Sequence, residues 1–201
     1  MKTARLAILA ALAAWSFPAR TAAQDGGAIL RLDPALDSLV AKDARIEKLA
    51  GGFQFTEGPL WRPRKNALWF SDVVGNVVRQ WSRDGQVQVL IEKAGGDPGP
   101  GSQGGFVGPN GEAADKDGAV LICQHSGRRI VRVTPDLHMT TLVDRYEGKR
   151  LNSPNDLVFR SDSALYFTDP PYGLPKQDAD SAKELPFNGV YKAEIGRSVC
   201  L

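Results

Sequence analysis

The sequence of 201 residues contains only two cysteines and two histidines, and its net charge is close to balanced at +2. The two histidines, His125 and His138, lack the paired spacing of a histidine-bound zinc site. A balanced charge gives no electrostatic basis for binding nucleic acid, because phosphate recognition needs clustered lysine and arginine. No Gly-x-Ser-x-Gly motif marks a serine nucleophile. These features argue against nucleic-acid binding, against a zinc site built from histidines and against a serine nucleophile in a Gly-x-Ser-x-Gly elbow.

Two cysteines are too few to predict a disulfide framework. Cys123 follows the apolar run Val120–Ile122, which favours a buried free thiol. A disulfide with Cys200 is the alternative in an oxidising compartment.

A long apolar run occurs only at the start of the sequence. Lys2 and Arg5 form a positively charged region, and residues 6–15 form an apolar core that is too short for a stable membrane anchor. This arrangement predicts a cleaved signal peptide over residues 1–23, with a signal anchor or a buried helix as the alternatives. The protein is then expected to be periplasmic or secreted, with no membrane attachment after cleavage. Residues 24–51 form a lead-in segment.

Glycine and proline are abundant, at 21 and 13 residues, and they separate short apolar runs. The pattern that begins at Leu68 is repeated from Val120 at a constant offset of 52 positions, and a third copy begins at Leu165. Each copy contains four short β-rich runs joined by turns, which is typical of one blade of a β-propeller. The sequence predicts an all-β fold; an ordinary sandwich is disfavoured because it needs no fixed repeat.

About three blades are predicted within residues 52–201, over 53–92, 106–144 and 151–201. The third copy is expected to stop at its third strand. Propellers usually need at least about four blades to close the ring. The chain is therefore expected to be a truncated part of a propeller, and a half-propeller that pairs with another chain is the alternative.

Each copy places one polar residue near the start of its first run: Glu57, Asn110 and Asn155. Because the first strands of propeller blades line a central channel, these side chains are expected to face one axis. Carboxylate and amide oxygens suit Ca²⁺ or Mg²⁺, and less firmly Mn²⁺ or Zn²⁺. The alternatives are a solvated acid at Glu57, a simple Asn-Gly turn at Asn110 and a turn-forming asparagine at Asn155.

Two further residues lie close to these positions. Asp156 follows Asn155 in an extended run, so its side chain is expected on the opposite face, where it would orient the loop. His125 follows a strand and is expected to reach the channel mouth and bind substrate. A histidine packed into a loop is the alternative.

The segments Phe55–Trp61 and Leu68–Asp72 resemble the opening blade of the gluconolactonase/regucalcin (senescence marker protein) family. Ser153–Phe159 and Tyr166–Gly173 resemble its third blade, particularly in the bacterial gluconolactonases. The resemblance extends over residues 52–192. It implies a six-bladed β-propeller with one divalent metal ion, foremost Ca²⁺, in the channel.

The resemblance also implies roles for individual residues. Glu57 matches a metal-ligating glutamate, and Asn155 matches an asparagine beside the metal or substrate, whereas Asn110 and His125 remain candidates for substrate binding. Further ligands and the favoured general base belong to later blades, beyond Leu201, so no catalytic residue is assigned. The implied function is metal-dependent hydrolysis of a small sugar lactone. The alternatives are a non-catalytic propeller that binds a sugar or protein partner, and a related metal-dependent esterase.

Overall fold

The computed structural model describes residues 27–97, 106–194 and 199–200. The predicted signal peptide over 1–23 lies outside these residues. The chain divides into two compact units, Met1–Leu49 and Ala50–Leu201. Within the described ranges, no helix is both long and apolar enough to cross a membrane.

The described part of the first unit contains a short 3-10 helix, Pro34–Ser38. Asp33 caps this helix, and its carboxylate accepts a hydrogen bond from the Ala35 N–H at 2.7 Å. The Arg31 guanidinium donates to Asp37 at 2.7 Å. Because the helix has no buried residue, local polar contacts of this kind hold it in place.

The described part of the second unit consists mainly of three four-stranded antiparallel sheets, and the expectation of an all-β fold is confirmed. The first sheet contains β1 (Thr56–Arg62), β2 (Ala67–Asp72), β3 (Val77–Ser82) and β4 (Val87–Glu92). The second contains β5 (Pro109–Ala114), β6 (Val120–Gln124), β7 (Arg129–Val133) and β8 (Met139–Val143). A hairpin, β9 (Arg145–Tyr146) and β10 (Lys149–Arg150), precedes the third sheet. That sheet contains β11 (Leu157–Phe159), β12 (Leu165–Asp169), β13 (Gly189–Ala193) and β14 (Val199–Cys200).

The third sheet has one strand more than the sequence predicts. The expectation that the third copy stops at its third strand is wrong, because β14 pairs with Lys192 and Ala193 of β13. A strand of two residues is too short to show a hydrophobic period. The pairing of Asp169 with Gly189 shows that the third repeat resumes after a long insertion.

The second sheet packs between the other two. All five residues of β6 are buried. Alternation along the strand sends Ile122 into a cluster with Trp69 of the first sheet, and Leu121 into a cluster with Phe167 of the third. Cys123 belongs to the latter cluster as a free buried cysteine, as predicted, and burial raises the pKa of its thiol. A strand covered on both faces therefore fixes the order of the three sheets.

Candidate functional site

The first strands of the three sheets lie side by side, because β5 contacts β1 on one side and β11 on the other. Glycines permit this approach. A Cβ atom at Gly58 would collide with the carbonyl oxygen of Asn110. A Cβ atom at Gly111 would lie 2.9 Å from the carbonyl oxygen of Asn155, which accepts a hydrogen bond from the Gly111 N–H at 2.8 Å. The glycine after each of the first two candidate residues thus lets the next backbone pass close by.

Glu57 and Asn110 occupy equivalent places in their sheets, each at an irregularity in strand pairing. The β1–β2 register shifts between Glu57 and Leu60, and the β5–β6 register shifts between Pro109 and Glu112. A β-bulge changes the direction in which nearby side chains point. Asn110 lies within β5, and not in the Asn-Gly turn that was its alternative.

One cavity of about 240 Å³ brings the predicted polar residues together. It is lined by Glu57, Gly58, Pro59, Asn110, Glu112, Asn155 and Asp156. The structure therefore places Glu57, Asn110 and Asn155, one from each repeat, at a common space.

Asp156 also lines this cavity, although its side chain is expected on the face opposite Asn155. The alternation of a strand does not apply to the two residues, because β11 begins only at Leu157. Asp156 Oδ1 accepts a hydrogen bond from the Leu157 N–H at 2.8 Å, so the carboxylate does orient the local backbone.

The Glu57 carboxylate and the Asn155 side-chain amide are half-buried and face the cavity. Within the described part of the chain, neither group has a hydrogen-bond or ion-pair partner. The backbone of Asn155 is nevertheless fixed, because its N–H donates to the carbonyl oxygen of Thr168 at 2.9 Å. These oxygens are therefore available to a ligand.

His125 lies behind Asn110 and is only 1% exposed. Its Nδ1 lies 2.9 Å from the carbonyl oxygen of Phe106, and its Nε2 lies 3.2 Å from Asn110 Nδ2. A carbonyl oxygen can only accept, so Nδ1 carries the hydrogen. Burial lowers the pKa of His125, which leaves Nε2 free to accept from the Asn110 amide. Nδ2 of Asn110 therefore donates to His125. The amide oxygen of Asn110 is left to bind a ligand in the cavity.

Glu112 is the cavity residue that the sequence interpretation missed. It is 7% exposed. Glu112 pairs with Ile122 of β6, and Leu157 pairs with Phe167 at the equivalent position of β12, so Glu112 and Leu157 occupy equivalent places in their sheets. Pro59 holds the matching place in the first sheet. The available signal was a charged residue at a position that the other two repeats fill with apolar ones.

The hydrogen bonds around Glu112 favour its neutral form. Ser71 Oγ lies 2.7 Å from the Asn110 carbonyl oxygen and 3.0 Å from Glu112 Oε1. One hydroxyl hydrogen serves only one of these oxygens fully, so both contacts are satisfied when Glu112 is protonated and donates to Ser71. Burial raises the pKa of Glu112 to about 8, although Ser71 and Arg62 act in the opposite direction. Glu112 Oε2 is buried and has no hydrogen-bond partner within the described ranges.

Comparisons with known proteins identify relatives of this chain. The sequence profile of the family described as SMP-30/Gluconolactonase/LRE-like region matches residues 55–199. A gluconolactonase of Zymomonas mobilis subsp. mobilis is 39% identical over 168 residues, which are 83% of this chain and 47% of that protein.

Solved structures agree with this match. A gluconolactonase from Xanthomonas campestris is 38% identical with a TM-score of 0.68, over 83% of this chain and 52% of its own. The calcium-binding protein regucalcin from Agrobacterium tumefaciens, at 15% identity and a TM-score of 0.50, covers 76% of this chain and 44% of its own, and shares the fold alone. The chain spans about half the length of the curated relative that it matches. Because the family profile covers most of its residues, this chain belongs to the SMP-30/gluconolactonase/LRE-like family.

Proposed function

We propose that the whole protein is a metal-dependent hydrolase of a small sugar lactone, and that the reaction takes place at the cavity beside Glu57. The observation that carries this proposal is the meeting of Glu57, Asn110 and Asn155, from three successive repeats, at one cavity of about 240 Å³. The gluconolactonase relatives at 38% and 39% identity support the reaction.

We also propose that the three sheets are blades of a six-bladed β-propeller and that the cavity opens into its central channel. The side-by-side first strands β1, β5 and β11 support this arrangement, because the first strand of each propeller blade lies nearest the axis. Equivalent residues of successive blades then face a shared space, as the candidate residues do.

A divalent cation suits the oxygen atoms of the cavity. Glu57 and Asn155 would hold it, with Ca²⁺ as the first candidate and Mg²⁺, Mn²⁺ or Zn²⁺ as the others. The buried Oε2 of Glu112 has no hydrogen-bond partner within the described ranges, which supports a ligand at this cavity. In the described ranges, no group of three or more His, Cys, Asp or Glu side chains is arranged to hold a metal, so amide oxygens have to contribute. When bound, the cation would polarise the lactone carbonyl and lower the pKa of a bound water.

The remaining side chains would bind and orient the substrate. Asn110 would accept a hydrogen bond from a sugar hydroxyl through its amide oxygen, because its nitrogen is engaged by His125. His125 would then contribute to substrate binding through Asn110, since both of its ring nitrogens are occupied inside the protein. Asn155 would contact the substrate beside the cation. No catalytic base is assigned among these residues.

Hydrolysis of glucono-δ-lactone by the whole protein tests the proposal directly. We expect activity that EDTA abolishes and that added Ca²⁺ or another divalent ion restores. Activity that withstands EDTA would contradict the role of the metal. Hydrolysis of aryl esters without any lactone would instead assign a metal-dependent esterase, and sugar binding without turnover would assign a non-catalytic propeller.

A charge-neutral substitution tests the position of the site. We expect Glu57→Gln to lower kcat/KM about 100-fold or more, because it removes a charged ligand from the cation. Glu92→Gln is the matched control, since Glu92 is exposed in β4 and does not line the cavity. Equal activity of the two variants would remove Glu57 from the site.

We further propose that the protein is exported to the periplasm or secreted. The leader-like composition of residues 1–23 supports this location. N-terminal sequencing of the protein recovered from the producing cells would test it, and retention of Met1 would contradict it.

A further inference from the structure

Glu112 combines burial with an incomplete set of partners. Its side chain lines the same cavity as Glu57 and Asn155. Oε1 is held 3.0 Å from Ser71 Oγ, while Oε2 is buried and unpartnered within the described ranges. Burying a carboxyl group without a full set of partners costs free energy, so such a group is retained where a ligand completes the set.

Among the described residues, no cationic side chain forms a hydrogen bond with this oxygen. Arg62 is the cation whose charge acts on Glu112, but its guanidinium donates to the Gly118 carbonyl oxygen and stacks on Trp69. Arg62 and Glu112 do not form a hydrogen bond in the described structure. Arg62 Nη1 is also buried without a hydrogen-bond partner in the described ranges, so the arginine acts on Glu112 only through its charge and leaves Oε2 free to coordinate a ligand.

The repeat shows that the fold does not require an acid at this position. Strand register gives Leu157 the place of Glu112 in the third sheet, and Pro59 has that place in the first. The other two sheets thus form with apolar side chains here. An acid that the architecture does not need, placed two residues after a candidate substrate-binding residue, points to a role in binding.

We infer that Glu112 is a further ligand of the cation in this cavity and coordinates it through Oε2. This role rests on the proposed function. Ser71 would hold the other carboxyl oxygen and so keep Oε2 directed to the ion. Binding of the cation would displace the proton that the metal-free surroundings of Glu112 favour. Glu57 and the ionised Glu112 would then supply two negative charges, which match the charge of a divalent ion, and all donors would be hard oxygens.

Calorimetric titration of the metal-free protein with Ca²⁺ tests this inference. We expect Glu112→Gln to weaken the Kd for Ca²⁺ about tenfold or more, equivalent to about 1.4 kcal/mol. Glu112→Leu, which copies Leu157 of the third sheet, should fold and weaken binding at least as much. Thermal unfolding of both variants in EDTA reports whether the fold is intact.

Asp156→Asn is the electrostatic control, because it removes the same charge from the lining of the same cavity. Its carboxylate already accepts a hydrogen bond from Leu157, so we expect a change of about threefold or less in Kd. Equal losses in Glu112→Gln and Asp156→Asn would overturn the inference and leave the proposed function standing if Glu57→Gln still abolishes binding. A wild-type protein that binds none of Ca²⁺, Mg²⁺, Mn²⁺ and Zn²⁺ would overturn both.

Discussion

At the residue scale, the Glu112 carboxyl group makes the stability of the metal-free protein depend on pH. Its ordinary pKa is 4.5, and burial in the folded state raises the pKa to about 8. Between these values the folded protein binds a proton that the unfolded chain does not bind. The free energy of unfolding therefore falls as pH rises through this window. The contribution of Glu112 is complete below about pH 4.5 and is lost above about pH 8.

Glu112→Gln isolates this contribution, because glutamine keeps the shape of the side chain without its titration. We expect the stability of wild type relative to the variant to decrease between pH 5 and pH 8, as measured by urea unfolding in EDTA. Arg62, Glu57 and Asp156 are retained in both proteins, so the two proteins differ only at the Glu112 carboxyl group. A difference that stays constant over this range would show that Glu112 is already ionised in the folded state.

The sequence predicted that three repeat-matched polar residues face a shared space, and they line one cavity, but it did not predict their surroundings. Glu57, Asn110 and Asn155 could be found because the same strand position recurs in each copy. Glu112 stands out in the sequence only as an acid at a position that is apolar in the other two repeats; its burial could not be predicted, because it depends on the packing of β5 against the neighbouring first strands. The indirect position of His125 was also hidden, since Phe106 and Asn110 reach it through tertiary contacts.

At the scale of the elements, the first hairpin of each sheet uses the same backbone conformation. One residue in each hairpin has a left-handed φ: Asn66 at 48°, Gly118 at 86° and Ser163 at 70°. The repeat is therefore visible in the turns as well as in the strands. Sequence could predict these hairpins from their periodic spacing, whereas β14 is too short to be recognised, and Asp156 departs from strand alternation because β11 starts one residue later.

At Gly118 the free-energy cost of a positive φ can be measured without a cost from steric packing. A Cβ atom at Gly118 would meet nothing within 4 Å, so alanine would be unfavourable only because of the positive φ. We expect Gly118→Ala to reduce the free energy of unfolding by about 1–2 kcal/mol. Gly118→Asn, which copies Asn66 of the first hairpin, should cost less, because asparagine tolerates this region. Urea unfolding measures both, and equal losses would show that backbone conformation does not set the cost.

At the scale of the whole molecule, the candidate site is a product of how the sheets pack. No single sheet contains it, since Glu57 belongs to the first, Asn110 and Glu112 to the second, and Asn155 to the segment before the third. The separation between the first two sheets is set where β1 passes β5 at Gly58. A change at this glycine should therefore alter stability and binding together.

Gly58→Ala tests this coupling. The added Cβ would collide with the Asn110 carbonyl oxygen and lie 3.0 Å from the Glu112 nitrogen, so β5 would have to move away from Glu57. With a φ of +57° as well, we expect a loss of about 3 kcal/mol in stability, together with weaker Ca²⁺ binding. Gly85→Ala is the control, because Gly85 has a φ of +85° but no atom within 4 Å of the added Cβ. If the two variants lose equal stability and Gly58→Ala binds Ca²⁺ like wild type, the spacing of the sheets does not determine the geometry of the site. If Gly58→Ala instead loses more stability and binds Ca²⁺ more weakly than Gly85→Ala, the packing that holds the sheets together also forms the cavity.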